Sequence, residues 1–190
     1  MLRVRVTRCL LLAGYSVIAS DANAVWVNDP IKDMDRLGVG SSNIVAQRDL
    51  RPRDLSEYRG VTLCFGFVFF RAGGTTMSRL LNSTVAISSK NHDDQKALNL
   101  ALFSLGIEWD EESDMACQRS TGIGRGVIVE GNEPFVVSLL PHSTYPRWCN
   151  VSPVSLNTTV VAHCLSVEKG EAMSAWMEES GVWHVLDDLG

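Results

Sequence analysis

Asp21-Ala22-Asn23 sets a carboxylate and an amide oxygen two residues apart, directly after the apolar run Tyr15 to Ala19. In a turn, two such oxygens can share one hard cation such as Mg²⁺ or Mn²⁺. The location suits a site, because open α/β sheets bind ligands beyond the carboxyl ends of their strands. The same spacing also fits a plain Asx-turn, in which Asp21 and Asn23 bond only nearby backbone. His163, alone in the apolar stretch Val160 to Cys164, reads by itself as a core histidine. Asp93 and Asp94 read as a pair placed where a helix N-terminus favours negative charge. Gly122-Ile123-Gly124-Arg125-Gly126 has the glycines of a phosphate loop but no strand before it and no helix after it, so it reads as a turn.

Elements must hold these residues. Leu2, Val6, Cys9, Leu10 and Ala13 recur at helical spacing, and Gly14 stands where a helix C-terminal cap belongs. Tyr15 to Ala19 then reads as a strand that stops at Ser20-Asp21. The competing reading is a secretory signal peptide, with Arg3, Arg5 and Arg8 before an apolar run and Ala22-Asn23-Ala24 as a small-x-small cleavage site. Gly14 and Tyr15 interrupt the apolar run, and Asp21 falls close before the cut, so helix plus strand is the expectation. Ala24 to Val27 continues extended. Lys32 to Gly40 reads as a polar loop, Asn43 to Ala46 as a short strand, and the charged stretch Gln47 to Gly60 as a solvated loop.

Thr62 to Arg71, crowded with aromatic and aliphatic side chains, reads as a buried central strand. Gly73-Gly74 ends it, and Thr75 can cap a helix from Thr76 to about Ile87. After a polar break at Ser88 to His92, a second helix runs from Asp93 to Gly106 with Ala97, Leu98, Ala101, Leu102 and Leu105 on its apolar face. Strands follow at Gly126 to Glu130, Pro134 to Leu140 and Thr158 to His163, with a turn-rich loop from Pro141 to Asn150. A helix at Glu168 to Ser180 and an extended Val182 to Val185 close the chain. Alternation of strands and helices predicts an α/β fold. At 190 residues, one domain over 1–190 is the economical reading.

The net charge of −5, with no basic block, argues against a surface that tracks nucleic-acid phosphates. Cys9, Cys64, Cys117, Cys149 and Cys164 form no CxxC pair, so no zinc knuckle is indicated, and an odd number leaves at least one thiol free. Asn82-Ser83-Thr84, Asn150-Val151-Ser152 and Asn157-Thr158-Thr159 are sequons, informative only in a chain that enters the secretory pathway. Trp26, Trp109, Trp148, Trp176 and Trp183 read as core or rim, with Trp148 able to stack on a sugar.

Five segments, in order along the chain, resemble one family. Gly14 to Pro30 is similar to a "G-Y-x-V-x-x-S-D-x-D-x-V-W-x-x-D-P" signature, and Cys64 to Arg71 to a "C-x-G-F-x-x-x-R" strand. Asp93-Asp94-Gln95-Lys96-Ala97-Leu98-Asn99 resembles a "D-Q-x-x-x-N" helix, and Leu140 to Pro146 an "L-P-x-x-x-F-P" loop. Val160-Val161-Ala162-His163-Cys164, then Gly181-Val182-Trp183, resembles "V-x-H … G-L-W". These are the motifs of the nucleotide-diphospho-sugar transferases of plants and algae, which include cell-wall xylosyl- and arabinosyltransferases.

The resemblance implies a GT-A-like, Rossmann-like mixed sheet flanked by helices, and transfer of a sugar from a nucleotide-diphosphate donor, a UDP-sugar first among them. The acceptor would be a glycan or glycoprotein. It implies Mn²⁺, or Mg²⁺, held on a DxD motif whose positions here are Asp21 and Asn23. His163 matches a late histidine that supplies a further ligand, and Asp94 and Gln95 match a pair that faces the donor sugar. Gly66 would let backbone approach the ligand closely. Two departures stand out: Asn23 replaces an acid, and only twenty residues precede Asp21 where the family has its first nucleotide-binding strands. The resemblance therefore implies an N-terminally shortened domain, with the Golgi-luminal setting and membrane anchor of the family lying in the missing part. A non-catalytic domain that binds a glycan or a protein through the Pro141 to Asn150 loop is the alternative.

Overall fold

The structure is a computed structural model, and it describes residues 2–59, 61–110, 122–130, 133–147 and 154–164. It opens with α1 (Leu2–Leu12), which buries Val4, Thr7 and Leu11. That three-and-four spacing makes a single stripe against the core. Gly14, at φ 89°, ends the helix. The Tyr15 N–H donates to the Leu10 carbonyl and the Gly14 N–H to that of Leu11, so the last carbonyls of α1 are satisfied in a Schellman turn. The turn launches β1 (Val17–Ser20). Helix plus strand is thus the arrangement adopted by residues 2–20.

After β2 (Val25–Trp26) comes α2 (Pro30–Arg36), where a loop was expected. The Asp29 carboxylate caps it by accepting from the Ile31 and Lys32 N–H groups, and Pro30 sits in the first turn, where its missing N–H costs nothing. The next strand, β3 (Ile44–Asp49), is buried throughout. The expectation that Gln47, Arg48 and Asp49 are solvated is therefore wrong, and α3 (Arg53–Arg59) replaces the rest of that loop. The aromatic segment forms β4 (Thr62–Phe70), the buried strand expected of it.

Helix α4 (Thr75–Asn91) runs straight through the expected break at Ser88. It ends at His92 in the left-handed region, and Gly74 rather than a capping side chain precedes it. Helix α5 (Asp94–Ser104) starts at Asp93, whose carboxylate accepts from the Lys96 N–H at 2.8 Å. Then follow β5 (Glu108–Trp109), β6 (Gly124–Glu130), β7 (Glu133–Leu140) and β8 (Val161–Ala162). Gly124 and Gly126, read from sequence as a turn, belong to β6. The face of Gly126 is covered by the Trp109 ring, 2.6 Å from where a Cβ would stand. Only Val161 and Ala162 of the expected strand from Thr158 to His163 pair. The expected helix at 168–180, the strand at 182–185, and Trp148, Trp176 and Trp183 lie outside the described residues.

Among the described residues, six strands form one mixed sheet in the order β1-β4-β3-β7-β6-β5, and β2 pairs with β8 in a separate ribbon. Within the sheet β3 and β7 run parallel and the other neighbours antiparallel. This is the mixed sheet flanked by helices expected of a GT-A-like domain. Alternation of side chains splits the core into two layers. Ile44, Ala46, Val68 and Phe70 join α1, α4 and α5 on one face. Val45 and Phe67 join Met34, Leu140, Tyr145 and Val161 on the other. The register of β3 against β4 breaks between Ala46 and Arg48, and there α5 supplies side chains to the β4 backbone. Asn99 accepts from the Leu63 N–H at 2.8 Å and donates to the Leu63 carbonyl at 3.0 Å, while Gln95 accepts from the Phe65 N–H at 3.1 Å. No helix among the described residues is long and apolar enough to cross a membrane.

Candidate functional site

Asp21 stands one residue beyond β1. Its N–H donates to the Gly66 carbonyl at 2.8 Å, which extends the β1–β4 pairing, and its own carbonyl accepts from Ala24 to close a turn. Its carboxylate therefore projects from the end of a paired strand, and Oδ1 is in contact with the Arg3 guanidinium. The same guanidinium donates through Nε and Nη2 to Asp94 Oδ2, at 3.0 and 2.8 Å. It also lies over the Phe65 ring, 4.3 Å from the centroid. One rigid fork thus links the end of β1 to the first turn of α5 and gains a cation–π contact. All three side chains keep some exposure, so the two ion pairs add only modestly to stability.

On the other side of Asp21, His163 Nε2 lies 3.5 Å from Oδ2. The antiparallel β2–β8 ribbon brings these residues together by pairing Val25 with Ala162. Burial, helped by the Arg147 charge, pushes His163 down to about 3. At neutral pH its ring is uncharged and one ring nitrogen carries a lone pair, with Arg147 Nη1 3.4 Å from both nitrogens. Gly66 is the residue that admits this ring. A Cβ there would overlap the imidazole and stand 2.9 Å from Asp21 Oδ2. The space expected to serve close approach of a ligand to the Gly66 backbone is taken up by His163.

Behind His163 lies a buried ion pair. Arg147 Nε donates to Asp49 Oδ2 at 3.0 Å, and Nη1 donates to the His163 carbonyl at 3.1 Å. Asp49 is 0% exposed and Arg147 9%. Gln95 Nε2 donates to the same Asp49 oxygen at 3.1 Å and to the Arg51 carbonyl at 2.7 Å. The Gln95 amide is thus engaged at both ends, by Phe65 on one side and by Asp49 and Arg51 on the other. Cys64 Sγ approaches His163 Nδ1 at 3.4 Å. Burial pushes its thiol up to about 12, so it is not a thiolate nucleophile.

Asp21, His163, Gly66, Asp94 and Gln95 therefore meet in one region, joined through Arg3, Phe65 and Arg147. Asn23 is exposed in the turn two residues after Asp21. A carboxylate, a neutral imidazole nitrogen and an adjacent amide oxygen make a donor set that suits Mn²⁺ or Mg²⁺ in chemistry, with a single negative charge. Among the described residues no three His, Cys, Asp or Glu side chains gather as a metal cluster, so the amide of Asn23 is needed to complete such a set. Sequence reading missed Arg3, Asp49 and Arg147. Arg3 sits on an ordinary amphipathic helix. Asp49 and Arg147 look like surface charges until the fold brings them together across 98 positions.

The family model described as nucleotide-diphospho-sugar transferase matches residues 1–168. The match spans every residue of the region just described, from Arg3 to His163. Searches of curated proteins and of solved structures returned no match. The family description carries, in general terms, a nucleotide-diphosphate-sugar donor. Matched over most of its length, and built on a mixed sheet with its acid at the end of β1, the chain belongs to the nucleotide-diphospho-sugar transferase family.

Proposed function

We propose that this chain moves a sugar from a UDP-sugar or related nucleotide-diphosphate donor to a glycan or glycoprotein, with a divalent cation assisting. The observation that carries the proposal is the approach of a neutral His163 to Asp21, 3.5 Å apart at the end of β1. Asp21, His163 and the amide of Asn23 are the residues that would hold Mn²⁺ or Mg²⁺. A divalent cation held there would supply positive charge to a departing diphosphate. Arg3 orients Asp21 and Asp94 together. Asp94, with Gln95 beside it, is proposed to face the anomeric carbon and to stabilise its developing positive charge electrostatically. The anchoring of Gln95 on Phe65, Asp49 and Arg51 fixes that face, which lowers the cost of reorganisation during transfer. A Golgi-luminal setting belongs to the same proposal.

One observation favours a second reading. Arg3 already neutralises Asp21 and Asp94, and Asn23 lacks the second charge, as in a domain that keeps the fold and binds a glycan or protein without transferring sugar. Calorimetric titration of the full chain with UDP, with and without Mn²⁺, separates the two. Metal-dependent UDP binding that disappears in Asp21→Ala supports the transferase. Absence of binding, with no turnover of any sugar nucleotide, favours the non-catalytic domain.

A further inference from the structure

Arg51 and Arg53 flank Pro52 where β3 hands over to α3. With Pro52, Asp93, Gln95 and Arg147 they line a cavity of about 460 Å³, a volume within the range of small-ligand sites. Its cationic side chains are unequally engaged. Arg147 uses Nε and Nη1 on Asp49 and His163, and Nη2 hydrogen-bonds no described residue. Arg51 and Arg53 are exposed, and their guanidinium groups pair with no described residue. The neighbouring acids are already occupied. Asp93 caps α5 through the Lys96 N–H, and Asp54 is paired with Lys96 Nζ at 2.8 Å. The cavity thus gathers more guanidinium than the protein itself neutralises, in a chain whose net charge is −5.

We infer that this cavity binds an oxyanion, a phosphate or a sugar carboxylate, through Arg51 and Arg53. Planar guanidinium forks match both groups in a two-pronged geometry that a lysine does not offer. Gln95 and Arg147 belong to the cavity and also touch the Asp49–His163 network, so an anion held here lies beside the region proposed for sugar transfer. Assignment of the oxyanion to a sugar substrate rests on the transferase reading; the anion site itself does not.

The test is calorimetry on the full chain in EDTA at low salt, with pyrophosphate, trigalacturonate and neutral maltotriose as separate titrants. One or both anions bind and maltotriose does not. The exposed double variant Arg51→Gln/Arg53→Gln, checked for native circular dichroism, weakens anion binding at least about tenfold. Asp21→Ala leaves it unchanged, which separates this site from the donor reading. Binding of pyrophosphate identifies the phosphate as the preferred source, and binding of trigalacturonate alone identifies the carboxylate. No anion binding, or anion binding that survives the double variant, overturns the inference.

Discussion

Gly66 on β4 leaves room for the His163 ring beyond β8, and a single methyl group at Gly66 would collide with it. Gly66→Ala should therefore displace the imidazole from between Asp21 and Arg147. Overpacking of this kind costs about 1–3 kcal/mol. His163→Ala in the same chain removes the obstacle, so the double variant should lose less stability than the sum of the singles. Urea denaturation of the four proteins checks this, and simple additivity would show that the close fit does not exist.

Arg147→Met should be among the most damaging single changes. It strands the Asp49 carboxylate in the core, and breaking a buried pair this way costs roughly 3–5 kcal/mol. Asp49→Asn in the Arg147→Met background recovers part of the loss, because a neutral amide needs no counter-charge. The urea midpoints of wild type, single and double variants measure the recovery.

His142 makes stability depend on pH. It is 2% exposed, its Nε2 accepts from the Arg147 N–H at 2.9 Å, and burial, with the Arg48 charge, pushes it down from 6.5 to about 4. Between those values the unfolded chain binds more protons than the folded one. Stability contributed by neutral His142 is complete above pH 6.5 and is lost as pH falls toward 4, by up to about 1.4 kcal/mol per pH unit. His163, pushed down further, acts in the same direction. Urea midpoints across pH 4.5–8 should rise and then level, and His142→Gln should flatten the rise.

Arg3 and Asn23 both limit the negative charge available around Asp21. Asn23→Asp adds a carboxylate, and Arg3→Gln frees Asp21 Oδ1. Each should strengthen Mn²⁺ binding, measured by paramagnetic resonance of the free ion. If both variants bind Mn²⁺ as wild type does, Asp21 is not a cation ligand.

Local signals in the chain carried much of the fold. Gly14 marks a true helix end, the Phe65 to Phe70 segment is the buried strand that its composition predicts, and Asp93 caps α5. A similar signal, Asp29 followed by Pro30, was present at α2 and went unread beside the polar residues that follow. Gln47 to Asp49 could not be read locally. Their burial depends on distant partners: Arg147 for Asp49, and for Gln47 the Tyr145 and Val161 carbonyls at 3.4 and 3.3 Å. The candidate site divides the same way. Asp21, Gly66, Asp94, Gln95 and His163 were legible through motif resemblance. Arg3 was not, because its meaning lies in Asp94, 91 positions away.

Those separations bear on how the site comes into being. Arg3 must find Asp94, and Asp49 must find Arg147, before either pair is complete, and closing such long loops is slow. The helix that carries Arg3 can form early from local contacts, yet its guanidinium has no acidic partner on α5 until the chain has been synthesised through Asp94. Acquisition of the site should therefore lag behind collapse of the hydrophobic layers. A kinetic probe on Arg3 or Arg147 would report the last native contacts to form, not the first.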